Sequence, residues 1–203
     1  MNPLKSVRAT ITIGFVLSVV IAFLINNDGA VLETMAERWS LIVWLHVFFG
    51  IIWIGLLYYF NFVQVPAVGE ALADEGGPGP AAINKYVAPR ALWWFRWGAL
   101  LTWLTGAAAL HYYLPMSLHD AFMLKGGVMG ATIGVGAWLG TIMLFNVWVL
   151  IWPNQKKILG IVKASAEEIA KAKNVALMAS RTNTLLSIPM LMCMVGYGHG
   201  LPL

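Results

Sequence analysis

Cysteine is almost missing from this chain: Cys193 is the only one in 203 residues. Its solitude excludes an internal disulfide, a Cys-x-x-Cys redox pair and the covalent motif of a c-type haem. Any metal or haem would have to be held by His, Met or other side chains. Charge is scarce too, at 11% of residues, and residues 97–118, 126–155 and 182–203 contain no Asp, Glu, Lys or Arg. No carboxylate falls within any long apolar run, so no general base can be assigned and the catalytic residues stay unknown.

What is present is hydrophobic. Apolar residues make up 60% of the chain and the mean hydropathy is +0.75. Apolar runs of this length read as transmembrane helices, which need roughly 20 residues to cross about 30 Å. Five spans are expected, at about 9–25, 41–63, 91–113, 127–152 and 184–199. The fold class is therefore all-α: one polytopic membrane domain over 1–203, a five-transmembrane-helix bundle with a cytoplasmic amphipathic helix. The first span follows Lys5 and Arg8. The sequence after it, Ile25-Asn26-Asn27-Asp28, has no small-residue cleavage site, which favours a retained helix over a signal peptide.

With the N-terminus inside, eleven of the 13 Lys and Arg residues lie on the inner side and only Arg38 and Lys125 on the outer. The positive-inside rule then places the N-terminus in the cytoplasm and the C-terminus outside. The sequence pI near 9.3 reflects this asymmetry and gives no reason to invoke nucleic acid.

Residues 64–89 are expected to form a cytoplasmic loop, because Gly76-Gly77-Pro78-Gly79-Pro80 cannot continue a helix. Residues 154–181 pair apolar positions at helical spacing with five lysines. Ser165 before Glu168 fits a capping box. That pattern suits an amphipathic helix beside anionic lipid. The fourth span sets Gly126, Gly130 and Gly134 on one face and Gly136 and Gly140 on another, a small-residue pattern for close packing within the bundle or for a homo-oligomer. Pro189 should bend the fifth span, with Ser187 near the freed backbone groups.

Alternating passes bring His46, His111, His119 and His199 to the outer face. At 1.5 Å per residue, His46 lies about 12 Å along its helix from Arg38, and His199 comes to a comparable depth from the other direction. Two imidazoles at matched depth suit axial ligation of haem b iron by His46 and His199, with His111 a further candidate. Gly50 lies one turn beyond His46 and could admit a flat macrocycle beside Trp53. The plainer alternative is an interfacial histidine bonded to a carbonyl or water. At the inner face Arg96, Asn146, Asn154, Gln155, Arg181 and Asn183 gather, with Asn61 and Gln64 at the end of the second span. Guanidinium forks and amides suit a planar anionic heterocycle. Arginines at span ends also commonly reach to lipid phosphates.

Several strings resemble the urate oxidase N-terminal-domain family, the bacterial membrane urate hydroxylases. They are His46-Val47-Phe48-Phe49-Gly50-Ile51-Ile52-Trp53-Ile54-Gly55, Lys85-Tyr86-Val87-Ala88-Pro89 with Trp94-Phe95-Arg96-Trp97, and Thr102-Trp103-Leu104-Thr105-Gly106. The most specific are Asn146-Val147-Trp148-Val149-Leu150-Ile151-Trp152-Pro153-Asn154-Gln155 and Ser180-Arg181-Thr182-Asn183-Thr184-Leu185-Leu186-Ser187-Ile188-Pro189. The resemblance implies an oxidoreductase of the bacterial inner membrane that takes electrons from urate and passes them to a cytochrome c. Family members carry that cytochrome as a C-terminal domain; here a separate periplasmic cytochrome c is expected to serve. The chain departs from the pattern where the His- and Gly-rich second loop lacks histidine, and where an acidic residue of the third span is Gly98. The alternatives are a haem-b electron-transfer subunit of a larger respiratory complex and a structural subunit. His46 before Gly50 and Trp53 also looks somewhat like the membrane protoporphyrinogen oxidases, which use histidine-bound haem.

Overall fold

A computed structural model of the chain describes residues 2–25, 35–112 and 116–201. The expected junction at Asn26, Asn27 and Asp28 and the end of the third span at Tyr113 lie outside them. Among the described residues the regular structure is helical throughout, as the composition implied. The chain divides into two compact units, Met1–Arg38 and Trp39–Leu203. Helix α1 (Val7–Ile25) belongs to the first, and none of its residues is buried. The second unit comprises most of α2 (Met35–Tyr59) and all that follows.

Helix α2 does not stop where the sequence suggested. A π-helical turn, Phe60–Gln64, carries it into α3 (Val65–Ala73), so the expected loop over 64–89 shrinks to residues 74–80. A second π turn, Ile83–Val87, opens α4 (Ala88–Tyr112). After α5 (Leu118–Phe122) and α6 (Gly127–Phe145), a third, Asn146–Ile151, leads into α7 (Trp152–Ile158). A proline follows each of these turns at the second residue: Pro66, Pro89 and Pro153. Proline lacks the N–H that a carbonyl four residues back would receive, and its ring crowds that carbonyl. The wider turn moves the bond to the preceding residue. Val65, Ala88 and Trp152 donate to the carbonyls of Phe60, Ile83 and Val147, five residues back. The helices therefore run through their prolines.

The last helix, α8, runs unbroken over Ala166–His199, so the expected surface helix and fifth span are one 34-residue element. The break comes earlier, at residues 159–165, where Gly160 takes φ +71. The capping box is as read: Ser165 N–H donates to Glu168 Oε2 at 2.8 Å and Glu168 N–H to Ser165 Oγ at 3.2 Å. Lys157 pairs with Glu168 at 3.6 Å and ties α7 to the start of α8. Pro189 lies inside α8, and Ser187 Oγ donates to the Thr184 carbonyl rather than to the one four residues before the proline.

Three helices among the described residues are long and apolar enough to cross a membrane: Val7–Ile25, Arg38–Ala73 and Gly127–Ile158. Helices also cover the two other expected spans. Trp, Arg, Tyr and His dilute the apolar character of α4, while in α8 the apolar half is preceded by a charged one. Two glycines of α6 pack closely against other parts of the chain. A Cβ on Gly134 would run into the Ala121 carbonyl, and one on Gly136 would lie 3.1 Å from Cys193 Cβ on α8. Polarity is inverted along α8: Asn183 and Ser187 are 0% exposed, while Leu185 and Ile188 are each 66% exposed.

Candidate functional site

Four contacts close a ring around one end of the second unit. Phe60, in the first π turn, meets Phe95 of α4 edge-on at 5.4 Å between centroids. Trp97, two residues along α4, meets Trp148 of the third π turn in the same way at 5.5 Å. Asn146, at the head of that turn, donates from Nδ2 to Asn183 Oδ1 of α8 at 2.8 Å. Ser180, almost one turn back on α8, receives Asn61 Nδ2 from the first π turn at 2.8 Å. Two of the three π turns thus face each other across the section. Such turns are rare and concentrate at functional sites, because they displace backbone groups that side chains must then serve.

Asparagines provide that service. Asn183 Nδ2 donates to the Met143 carbonyl at 3.0 Å, just before the third π turn. Asn61 Nδ2 donates to the Leu57 carbonyl at 2.9 Å and Asn154 Nδ2 to the Leu150 carbonyl at 2.7 Å. Of the residues expected to hold substrate, Asn146 and Asn183 are buried and bonded to each other, and Arg181 is exposed. Asn154 and Gln155 are half-buried at the start of α7. Arg96 holds its guanidinium over the Trp152 ring at 3.7 Å from the centroid. A planar cation on an indole face keeps its in-plane N–H groups available while the ring shields one side. Arg96 is thereby joined to the Trp-Pro-Asn-Gln string.

The histidines lie toward the other end. His46 turns to α4, its Nδ1 2.8 Å from the Thr102 carbonyl oxygen. The ring fits because residue 106 is glycine; a Cβ there would come within 2.8 Å of His46 Cε1. A carbonyl can only accept, so Nδ1 carries the proton and Nε2 keeps its lone pair, the arrangement usual in metal-bound histidine. Nε2 of His46 is the atom that would hold a metal or haem iron. Gly50 is half-buried, and Thr102 Cγ2 of α4 lies 3.8 Å from where its Cβ would be. Trp53 is 2% exposed and sits in the core, with its backbone against Gly98 of α4. Level can be set from the Tyr58–Ser187 hydrogen bond of 3.0 Å between α2 and α8. His46 and His199 are each twelve residues from it in the same direction, about 18 Å along their helices. The matched depth thus fits the helix register, although the His46 hydrogen bond goes to α4. His199, His111 and His119 are exposed, and His119 lies 3.7 Å from Asp120.

Residues 119–201 match the family model described as urate oxidase N-terminal. The resemblance is borne out over that region. No curated protein and no solved structure matches the chain. The urate oxidase N-terminal match takes in both strings that supply the Asn146–Asn183 pair. The strings around His46, Lys85, Arg96 and Thr102 precede it. Even so, His46 meets Thr102 and Gly106 of another string, and Arg96 meets Trp152 of the Trp-Pro-Asn-Gln string. Sequence reasoning missed Thr102, Gly106, Tyr58 and Ser180 as positioning residues. Thr and Gly one turn apart on a predicted helix were the available signal.

Proposed function

We propose that this chain is a membrane-embedded oxidoreductase of the bacterial inner membrane that oxidises a purine-like heterocycle, urate or a close analogue. Electrons would pass through haem b to a cytochrome c at the outer side. Embedding is supported by the inverted polarity of α8, with leucine and isoleucine outside and asparagine and serine within. In water that arrangement would expose large apolar patches, whereas in lipid it hides the polar groups. The single observation that carries the substrate reading is Arg96 stacked on Trp152 beside Asn154 and Gln155, at the head of the α7 string. The guanidinium would bind and orient the anionic edge of the heterocycle, and the ring of helices would keep bulk water from its face. His46 would hold the haem through Nε2, with Thr102 fixing the ring. A haem there would supply one-electron relay toward the outer face.

The test uses membranes carrying the chain and a soluble cytochrome c. Urate should drive cytochrome c reduction, and Arg96→Leu should abolish the urate dependence while leaving the folded protein in the membrane. Urate-independent reduction, or full activity in Arg96→Leu, would overturn the proposal.

A further inference from the structure

On the two π turns of the ring, three polar atoms are buried without a hydrogen-bond partner: Asn61 Oδ1, Gln64 Oε1 and Trp148 Nε1. The orientation of Asn61 is fixed. Its Nδ2 must face the Leu57 carbonyl, which can only accept, so Oδ1 is the atom left over. Gln64 ends the same π turn three residues on, and Trp148 lies in the opposing turn with its ring held by Trp97. A buried polar group without a partner costs more than its hydrogen bond returns, so native proteins rarely leave three in one layer. Two acceptors and one donor are therefore available around a single section of the bundle. Their polarity complements that of Arg96, which can only donate.

We infer that Asn61 and Gln64 accept N–H groups of a cyclic ureide or purine-like ligand, and that Trp148 donates to one of its carbonyl oxygens. This rests on the function proposed above and adds the residues that read the ligand's hydrogen-bonding pattern. The anionic edge faces Arg96. The N–H edge faces the π turn at residues 60–64. A ligand of the same shape with its nitrogens methylated would leave the two amide oxygens unpaired and add bulk against them. The site should therefore reject such a ligand far more strongly than lost contact area alone would explain.

Equilibrium binding of urate and of its mono-N-methyl derivatives to the purified full chain in detergent tests this without requiring turnover. The native protein should bind urate roughly tenfold or more tightly than at least one N-methyl derivative. Gln64→Met keeps side-chain length and removes the acceptor, and it should bring that preference to within about threefold. Trp148→Phe keeps a ring against Trp97 and removes the donor. It should weaken urate roughly tenfold with the methyl preference intact. If the native protein binds urate and every methyl derivative equally, or if both variants bind urate as the native chain does, water alone serves these atoms and the inference is wrong. If the folded native protein binds no urate at all, the proposed function itself fails.

Discussion

Removing the Asn183 side chain tests whether the two π-containing halves of the bundle are locked together as described. In Asn183→Leu, the Met143 carbonyl keeps only the Asn146 backbone N–H and Asn146 Nδ2 loses its acceptor, both in a section where residue 183 is 0% exposed. A buried group left unpaired costs about 1–3 kcal/mol in water-soluble proteins. Within a bilayer, however, cross-helix hydrogen bonds measured by double-mutant cycles average about 0.6 and reach about 1.7 kcal/mol, because the separated helices also find partners. With the helices embedded as proposed, the membrane figure applies, so Asn183→Leu, which breaks two of these bonds, should lose about 1–2 kcal/mol and Asn146→Leu, which breaks one, about 0.6 kcal/mol. The pair Asn146→Leu with Asn183→Leu should lose less than the sum of the singles by about 0.6–1.7 kcal/mol. Reversible unfolding of the four proteins in one detergent supplies the cycle. Additivity within about 0.3 kcal/mol would refute the reasoning, since uncoupled sites behave that way.

Other outcomes follow from the same geometry. Gly106→Ala places a methyl group within 2.8 Å of His46 Cε1, so the imidazole must leave the Thr102 carbonyl. The imidazole NMR shifts of His46 should move in that variant, while an alanine at Gly140, where nothing lies within 4 Å, should leave them unchanged. The Ser165 N–H, followed by Lys157, holds the Glu168 carboxyl below its ordinary pKa. A depressed carboxylate stabilises the fold above its unfolded pKa, about 4.3, and that contribution is lost as pH falls through the lower folded value. Protection of the amides in the first turn of α8, relative to their intrinsic exchange rates, should therefore fall below about pH 4 in the native chain, and Glu168→Gln should show the lower protection already at neutral pH. Tyr58→Phe removes the hydroxyl that meets Ser187 and should leave the α2–α8 packing weaker by about 0.6 kcal/mol. Thermal unfolding would read the difference.

Much of the helix inventory was legible because apolar runs and caps are local features. The Ser165–Glu168 box could be read directly. Helix ends at proline could not. Pro66, Pro89 and Pro153 lie just outside the expected spans, yet π turns carry the helices through them, and at the third turn Asn183 of another helix reaches the Met143 carbonyl. The polar cluster was visible as a set of residue types but not as a division of labour. Asn146 and Asn183 looked like ligand contacts because amides inside apolar runs demand partners. Only the packing of α6 against α8 reveals that each amide is partner to the other.

The most direct measurement is an anaerobic absorption spectrum of the purified chain before and after urate is added. The account predicts a Soret band that shifts to its reduced position on adding urate and is lost in His46→Ala. A protein isolated with its haem complement that shows no urate-dependent shift, or whose band survives in His46→Ala, would contradict it.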